Sequence, residues 1–297
     1  MSNDKKRAEK SETNKCADCS EDDEDLLEFI EQLEVIDIHT HVWPKFLAPK
    51  VKKLFTSYGQ PILTDLTIEG LRRQMHENGV SKAVLLSVAT KPSQVETIND
   101  ELRPYIGNPV FTPFAAVHPD CDDPVGVIRR ASEDGFKGVK LHPVEQHFMP
   151  QEKRMFPIYD AIIEEGMVLL FHSGPSANSK DVNDRSLSYA FDGFFDHYDY
   201  DKVIVAHMAG LMGVQEVPED FVFDRPGYVD LAYTTGITPD DVWLDMFHRF
   251  GTERVMYGSD SPFRSQRYDI EHIAGIGLTK QELRMIFHDN AAKLLGM

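Results

Sequence analysis

The chain has little cysteine and no long hydrophobic run. Three cysteines in 297 residues, Cys16, Cys19 and Cys121, are too few for a disulfide framework and suit a reducing compartment. No apolar run approaches the roughly 18 residues of a membrane-spanning helix, and the first residues are charged rather than apolar. These absences predict a soluble, cytoplasmic protein that does not associate with membranes.

Positive charge is also scarce, because 49 acidic residues face 31 basic ones and the formal net charge is -18. Nucleic acids and anionic membranes bind mainly through Lys and Arg, so both are disfavoured as partners. Small anionic substrates are not excluded, because surface charge is screened over about 8 Å. The sequence therefore predicts a small-molecule substrate and leaves open whether the chain forms a homo-oligomer.

The first 24 residues are nearly all charged or small and show no apolar periodicity. Such a segment cannot bury enough surface to offset the entropy of ordering. Cys16 and Cys19 lie in it, without the second pair or the histidines that a structural zinc site needs. We predict a disordered tail over residues 1–24, followed by one domain over residues 25–297.

Short apolar runs alternate with amphipathic stretches from residue 35 onward. One such stretch places Ile68, Leu71 and Met75 on a single helical face. Strand followed by helix, eight times, predicts an α/β fold and a single-domain (β/α)8 TIM barrel. An open doubly wound sheet is the alternative, but it would carry a glycine-rich turn after its first strand. The predicted strands are 35–41, 82–88, 110–118, 136–142, 167–172, 202–207, 227–233 and 254–259.

Two helix starts are predicted from capping residues. Thr238 stands before Pro239 at the start of one helix, and Thr279 with Glu282 forms a capping box at the start of another.

Polar side chains recur at the ends of these strands, where barrel enzymes carry their active sites. In the first strand, alternation places Asp37, His39 and His41 on one side. Imidazole and carboxylate groups are ligands for Zn²⁺, Mn²⁺ and Fe²⁺, and the lack of a usable cysteine argues against a thiolate site. The sequence predicts a site for one or two divalent ions, with zinc preferred over manganese or iron. The remaining candidates are Lys140 and His142 on the fourth strand, His172 on the fifth, His207 on the sixth and Asp260 after the eighth.

Most of residues 35–297 resembles the amidohydrolase superfamily. Within it, the chain is similar to the amidohydrolase 2 group, which includes aminocarboxymuconate semialdehyde decarboxylase and related lactonases, hydratases and decarboxylases. The motifs that carry the resemblance are IDIHTH at 36–41, GFKGVKLHP at 135–143, LFHSG at 170–174, VAHMAG at 205–210, YGSDSPF at 257–263 and NAAKLLG at 290–296.

The resemblance implies roles for individual residues. His207 would bind a second ion or act on the substrate. Lys140 would match the carboxylated lysine that bridges two ions in binuclear relatives, or would remain an unmodified lysine. Asp260 would also be catalytic, taking a proton from a water and returning it to the leaving group. The implied metal ligands are His39, His41, His172 and Asp260.

Further residues are candidates for substrate binding. Arg264, in the loop after Asp260, would grip a substrate carboxylate, although loop arginines are commonly solvated. Trp43, His118 and His142 would line the pocket, with simple packing or hydrogen bonding as the alternative. Residues 174–200 would form a lid, with disorder or simple helix capping as the alternative.

The resemblance implies a metal-dependent hydrolase that uses an activated water on an amide, ester or lactone bearing a carboxylate. A decarboxylase or hydratase on the same scaffold is the nearest alternative. A DNase of the TatD kind would carry an acidic residue where this chain has Lys140. A noncatalytic binding protein is the remote alternative, and it is disfavoured because such a protein would not need to keep every ligand position.

Overall fold

The computed structural model describes residues 21–176, 188–216 and 225–297. Residues 1–20, with Cys16 and Cys19, and part of the predicted lid, 177–187, lie outside the described residues. The first helix begins at Glu21, four residues inside the segment predicted as a tail.

Eight parallel strands pair in sequence order around a barrel. Each strand lies within one of the predicted runs, so the (β/α)8 barrel is confirmed. The strands are β1 Ile36–His41, β2 Lys82–Leu86, β3 Phe111–Ala116, β4 Gly138–Leu141, β5 Val168–Phe171, β6 Val203–Val205, β7 Tyr228–Asp230 and β8 Val255–Met256.

Backbone hydrogen bonds join the segment directly after β8 to β1 and close the barrel. Ile38 N donates to the Tyr257 carbonyl at 3.1 Å, and Asp260 N donates to the His39 carbonyl at 2.9 Å. Farther along, His41 N donates to the Ser261 carbonyl at 2.6 Å. The segment carrying Asp260 therefore runs directly beside the two histidines of β1.

Helices cover the outside of the barrel, and within the described ranges none is long and apolar enough to cross a membrane. Those from the start of the chain to β5 are α1 Glu21–Glu31, α2 Ala48–Ser57, α3 Ile68–Asn78, α4 Val95–Leu102, α5 Pro124–Asp134 and α6 Phe156–Glu164. Those after β5 are α7 Asp192–Phe195, α9 Asp240–Phe250, α10 Gln266–Gly275, α11 Lys280–Arg284 and α12 Asn290–Leu295. The short segment after β6, α8 Ala206–Gly210, is a buried turn and not an outer helix, because three of its residues have left-handed φ and ψ values. A π-helical turn, Met285–Asp289, joins α11 to α12, and short 3₁₀ turns occur at Pro92–Gln94, Arg103–Tyr105, Lys153–Met155, Ser188–Phe191 and Thr252–Arg254.

Helices begin near both predicted starts, but only one of the two predicted caps is confirmed. The Thr279 hydroxyl accepts from Glu282 N and the Glu282 carboxylate accepts from Thr279 N, which is the capping box. The predicted cap at Thr238 is wrong: α9 begins at Asp240 without a side-chain cap, and the Thr238 hydroxyl accepts from Gly213 N instead.

The core has two layers, separated by the wall of the barrel. An outer layer lies between the strands and the helices, and it includes Leu85, Leu141 and Phe171. The inner layer fills the barrel with aliphatic and aromatic side chains, and α12 packs against it. Because this interior is apolar, polar side chains at the strand ends stand out as a separate group. The inner layer includes Ile36, Ile38, Val84, Leu86, Phe114, Val168, Leu170, Ile204 and Met256.

An extra residue interrupts β1 beside β2. Asp37 is opposite Ala83 and Thr40 is opposite Leu85, so three steps along β1 match two along β2. A bulge of this kind breaks the strict alternation of side chains.

Because of the bulge, the side chains of β1 do not point where strict alternation predicts. Ile38 packs in the inner layer, and the His39 ring also points inward, because it contacts Lys140 and Asp230 on other strands. The prediction that Asp37 shares the face of the histidines is wrong. Its carboxylate instead accepts from Ser259 and Gln266.

Candidate metal centre

Three potential ligand atoms converge at the carboxyl end of the barrel. Nε2 of His39 lies 3.2 Å from Nε2 of His41. Asp260 Oδ1 lies 3.2 Å from His41 Nε2 and 3.5 Å from His39 Nε2. Ligands held about 2.1 Å from one tetrahedral ion lie about 3.4 Å apart. The spacing of this trio therefore fits a shared divalent cation.

His39 is oriented by a buried aspartate that the sequence analysis missed. Asp230, at the end of β7, places Oδ2 2.7 Å from His39 Nδ1. A carboxylate only accepts, so Nδ1 carries the hydrogen and Nε2 keeps its lone pair. Burial and the nearby Lys140 charge lower the pKa of His39 to about 3, so the ring is neutral at pH 7. Its Nε2 is thus available to a metal ion.

His207 and His172 form a second hydrogen-bonded chain. Nδ1 of His207 lies 2.7 Å from the Ala232 carbonyl and must donate to it. With Nδ1 donating, His207 Nε2 accepts from His172 Nδ1, at 3.1 Å. This leaves His172 Nε2 with a lone pair, and that buried atom has no hydrogen-bond partner within residues 21–176, 188–216 and 225–297. A buried polar atom requires a partner, and an imidazole lone pair is a suitable ligand for a divalent cation.

The described ranges contain two groups of three His or Asp ligand atoms that lie within 4.8 Å of one another. They are His39, His41 and Asp260, and His39, His207 and Asp230. The predicted ligand His172 is in neither group, although it contacts His207. Its place among the ligands stays a prediction, as does a second ion at His207.

Lys140 lies at the bottom of the same site. Its Nζ is 3.3 Å from His39 Nε2, and the side chain is fully buried. Burial lowers the pKa of Lys140 to about 8. Carboxylation of this amine and an unmodified lysine both stay predictions.

The predicted pocket residues lie in two places. Trp43 packs beside His41, with ring centroids 5.9 Å apart, and contacts Phe55 and Phe263 to form an aromatic wall. On another side of the site, the His142 ring stacks on His172, with centroids 3.8 Å apart.

The side chains of His118 and Arg264 form hydrogen bonds within the protein. His118 Nδ1 accepts from Asp120 N in its own loop. Arg264 donates to Asp269 Oδ1 at 2.7 Å and to the Thr235 carbonyl, and its guanidinium also contacts the faces of two tyrosine rings. Both hydrogen bonds use one guanidinium nitrogen, Nη2, and binding of a substrate carboxylate by Arg264 stays a prediction.

The backbone around His207 is strained. His207, Met208 and Ala209, within α8, have φ values of 56°, 52° and 58°, so this segment is a left-handed turn. Each such L-residue costs roughly 1–2 kcal/mol. Asp230 Oδ1 accepts from His207 N at 2.8 Å and holds the start of the turn.

The sequence did contain a signal for Asp230. It is the only charged residue in the predicted strand 227–233, and it is followed by Leu231 and Ala232. A carboxylate in an otherwise apolar strand requires a buried partner. Its partner, His39, lies 191 positions away.

Gly258, in the YGSD motif, lies against the side chain of His39 on β1. A Cβ added to it would lie 2.8 Å from the His39 Cβ. We expect Gly258→Ala to displace His39 and to lower the free energy of unfolding by about 1–3 kcal/mol. Urea denaturation measures the stability, and calorimetric titration with Mn²⁺ measures the expected loss of affinity. The control is Gly275→Ala, where an added Cβ meets no atom of the described residues within 4 Å. Equal effects of the two substitutions would contradict the expectation.

Three comparisons place the chain among known proteins. The family model described as amidohydrolase matches residues 36–297. A search of curated proteins found no match. Solved structures similar to the chain include 5-carboxyvanillate decarboxylase from Novosphingobium aromaticivorans, determined with bound manganese and 3-methoxy-4-hydroxy-5-nitrobenzoic acid. That structure has a TM-score of 0.68 and 16% identity, over 90% of this chain and 98% of the other.

Two further structures have the same fold. 2,6-Dihydroxybenzoate decarboxylase from Rhizobium has a TM-score of 0.63 and 14% identity, over 88% of this chain and 98% of the other. A protein named as a candidate 2-pyrone-4,6-dicarboxylic acid hydrolase from Pseudomonas putida has a TM-score of 0.65 and 18% identity, over 89% of this chain and 98% of the other. At these identities the structures support the fold alone. The family model spans all eight strands together with the His39, His41 and Asp260 trio, and the chain therefore belongs to the amidohydrolase family.

Proposed function

We propose that the chain is a divalent-metal-dependent decarboxylase of a small, planar carboxylic acid. The observation that carries the proposal is the convergence of His39 Nε2, His41 Nε2 and Asp260 Oδ1 within 3.2–3.5 Å of one another. His172, whose Nε2 has no hydrogen-bond partner among the described residues, is the proposed fourth ligand. Manganese, which the N. aromaticivorans structure contains, is as suitable for these ligands as the zinc predicted from sequence.

A bound divalent ion would supply positive charge to stabilise an oxygen that becomes negative, and would acidify a water. The protein supplies the proton transfer. Burial raises the pKa of Asp260, but the His41 contact and nearby imidazoles outweigh it and hold the pKa below its usual range. Asp260 is thus a carboxylate at neutral pH and can accept a proton from a substrate hydroxyl or a water. We assign it the return of that proton to the carbon that loses CO₂.

The aromatic wall beside His41 favours decarboxylation of a planar acid. Trp43, Phe55 and Phe263 offer apolar faces on which a ring can stack. Loss of CO₂ converts a charged group into a neutral one, so a site with few waters favours the reaction. Two of the structural neighbours are named as decarboxylases of substituted benzoates or vanillates.

Hydrolysis of a lactone or amide is the second candidate. The same trio would hold the ion, and Asp260 would accept a proton from the attacking water. The P. putida neighbour, named for hydrolysis of a pyrone dicarboxylic acid, favours this reaction. Both candidates take a small substrate with a carboxylate.

Metal analysis and a substrate panel test the proposal together. We expect purified protein to contain about one or two equivalents of Mn, Zn or Fe, and chelation to lower activity at least about a hundredfold, with recovery on adding Mn²⁺ or Zn²⁺. The panel contains hydroxybenzoic acids, assayed by CO₂ release, and lactones and amides, assayed by proton release. CO₂ release would support the proposed decarboxylase activity. Hydrolysis without CO₂ release would instead support the second candidate, a hydrolase. Full activity in metal-free protein would overturn both.

A further inference from the structure

We infer that Asp230 is a positioning residue that fixes two sides of the metal site at once, His39 on β1 and the left-handed turn at His207. The inference deepens the proposed function, because His39 is one of the proposed ligands. In this inference Asp230 acts through His39 and His207 and does not itself bind substrate or ion.

The Asp230 carboxylate accepts three N–H groups. Oδ2 accepts from His39 Nδ1 at 2.7 Å. Oδ1 accepts from the backbone N–H groups of His207 at 2.8 Å and Ala232 at 3.1 Å. The side chain is fully buried. Its oxygens are therefore occupied by donors from three different segments, which argues for positioning rather than for metal ligation.

The contact with His39 determines which nitrogen faces the site. With hydrogen on Nδ1, Nε2 offers its lone pair toward His41 and Asp260. Without a carboxylate acceptor, hydrogen on Nε2 becomes competitive, and a protonated Nε2 cannot bind a metal ion. A partner of this kind on a ligand histidine typically changes metal affinity by about 10–100-fold.

The contact with His207 stabilises a strained backbone. Three successive left-handed residues persist only where neighbouring groups hold them. Asp230 Oδ1 binds the first of them, and the Ala232 carbonyl, two residues along the chain, accepts from the His207 ring. The end of β7 therefore sets both the backbone and the ring of His207.

Asparagine is the informative replacement because it has nearly the shape of aspartate. It has one acceptor oxygen and one NH₂ donor, so it cannot accept from both His39 and the backbone amides. If the oxygen stays with the backbone, the NH₂ group faces Nδ1 of His39 and favours the tautomer with hydrogen on Nε2. Asp269→Asn is the matched control, because Asp269 is also a buried aspartate but is bonded to Arg264.

The experiment records ¹⁵N-histidine NMR spectra of the metal-free wild type, Asp230→Asn and Asp269→Asn, with the His39 signal assigned through His39→Gln. We expect hydrogen on Nδ1 of His39 in the wild type and in Asp269→Asn, and a shift toward Nε2 in Asp230→Asn. Calorimetric titration with Mn²⁺ should show affinity about 10–100-fold weaker in Asp230→Asn alone. Unchanged tautomer and affinity in folded Asp230→Asn would overturn the inference.

Two outcomes separate the inference from the proposed function. If Asp230→Asn does not fold, the wild-type spectrum still tests the inference. Hydrogen on Nδ1 of His39 in that spectrum supports the inference, and hydrogen on Nε2 contradicts it. If the wild type binds no divalent ion, the proposed function fails, while the tautomer comparison still judges the role of Asp230.

Discussion

Asp260→Asn is expected to lower kcat/KM by about a thousandfold or more while the barrel remains folded. Asparagine removes the negative charge 3.2 Å from His41 Nε2 and removes the group that accepts and returns the proton, a function worth about 10²–10⁴-fold. The backbone should tolerate the change, because Asp260 has φ 64° and asparagine adopts the left-handed region more readily than most residues. Initial rates on the substrate identified by the panel, together with metal content and circular dichroism, measure the effect.

Asp269→Asn serves as the control for this variant as well. It removes a buried carboxylate in α10 that pairs with Arg264, so it should lower stability without removing a metal ligand. We expect it to keep its metal. If Asp260→Asn retained wild-type kcat/KM, or if the two variants lost activity and metal equally, the assignment of Asp260 would be wrong.

His172→Ala is expected to lower activity at least about a hundredfold and to weaken divalent-ion binding about 10–100-fold or more. Its Nε2 is a buried atom without a hydrogen-bond partner in the part of the chain that the structure describes, and burial lowers the pKa of His172 well below its ordinary value, so the ring is neutral. Removal of the ring also deprives His207 Nε2 of its donor. Mn²⁺ titration and steady-state kinetics measure the two effects.

The variant His142→Ala separates the two roles of His172, which are metal ligation and packing. Its ring stacks on His172, so its removal should disturb the His172 ring by packing alone and should reduce metal affinity less than His172→Ala does. His248 lies on the exposed side of α9, so His248→Ala should change neither the activity nor the metal affinity. Equal metal affinity in His172→Ala and wild type would remove His172 from the proposed ligands.

The barrel could be predicted from the sequence because the patterns that indicate its strands and helices each lie within a short stretch of neighbouring residues. Apolar runs of strand length recur eight times between amphipathic stretches, and parallel strands need such crossovers. The same regularity predicted where His39, His41, His172, His207 and Asp260 would meet, because the carboxyl ends of all barrel strands face one rim. These predictions depended on periodicity and order, which can be read without knowing any contact.

The tertiary structure decided everything that depends on a specific contact between distant segments. The bulge in β1 turned His39 inward, against strict alternation, and pairing with Asp230 set its tautomer. Arg264, predicted to hold substrate, is bonded to Asp269 and Thr235. Periodicity determines which face of a strand or helix is apolar, but a hydrogen bond forms only when packing brings its donor and acceptor within about 3 Å. The sequence by itself therefore determined the barrel and the rim that carries the histidines, and the packing of strands far apart in sequence decided which of those side chains pair.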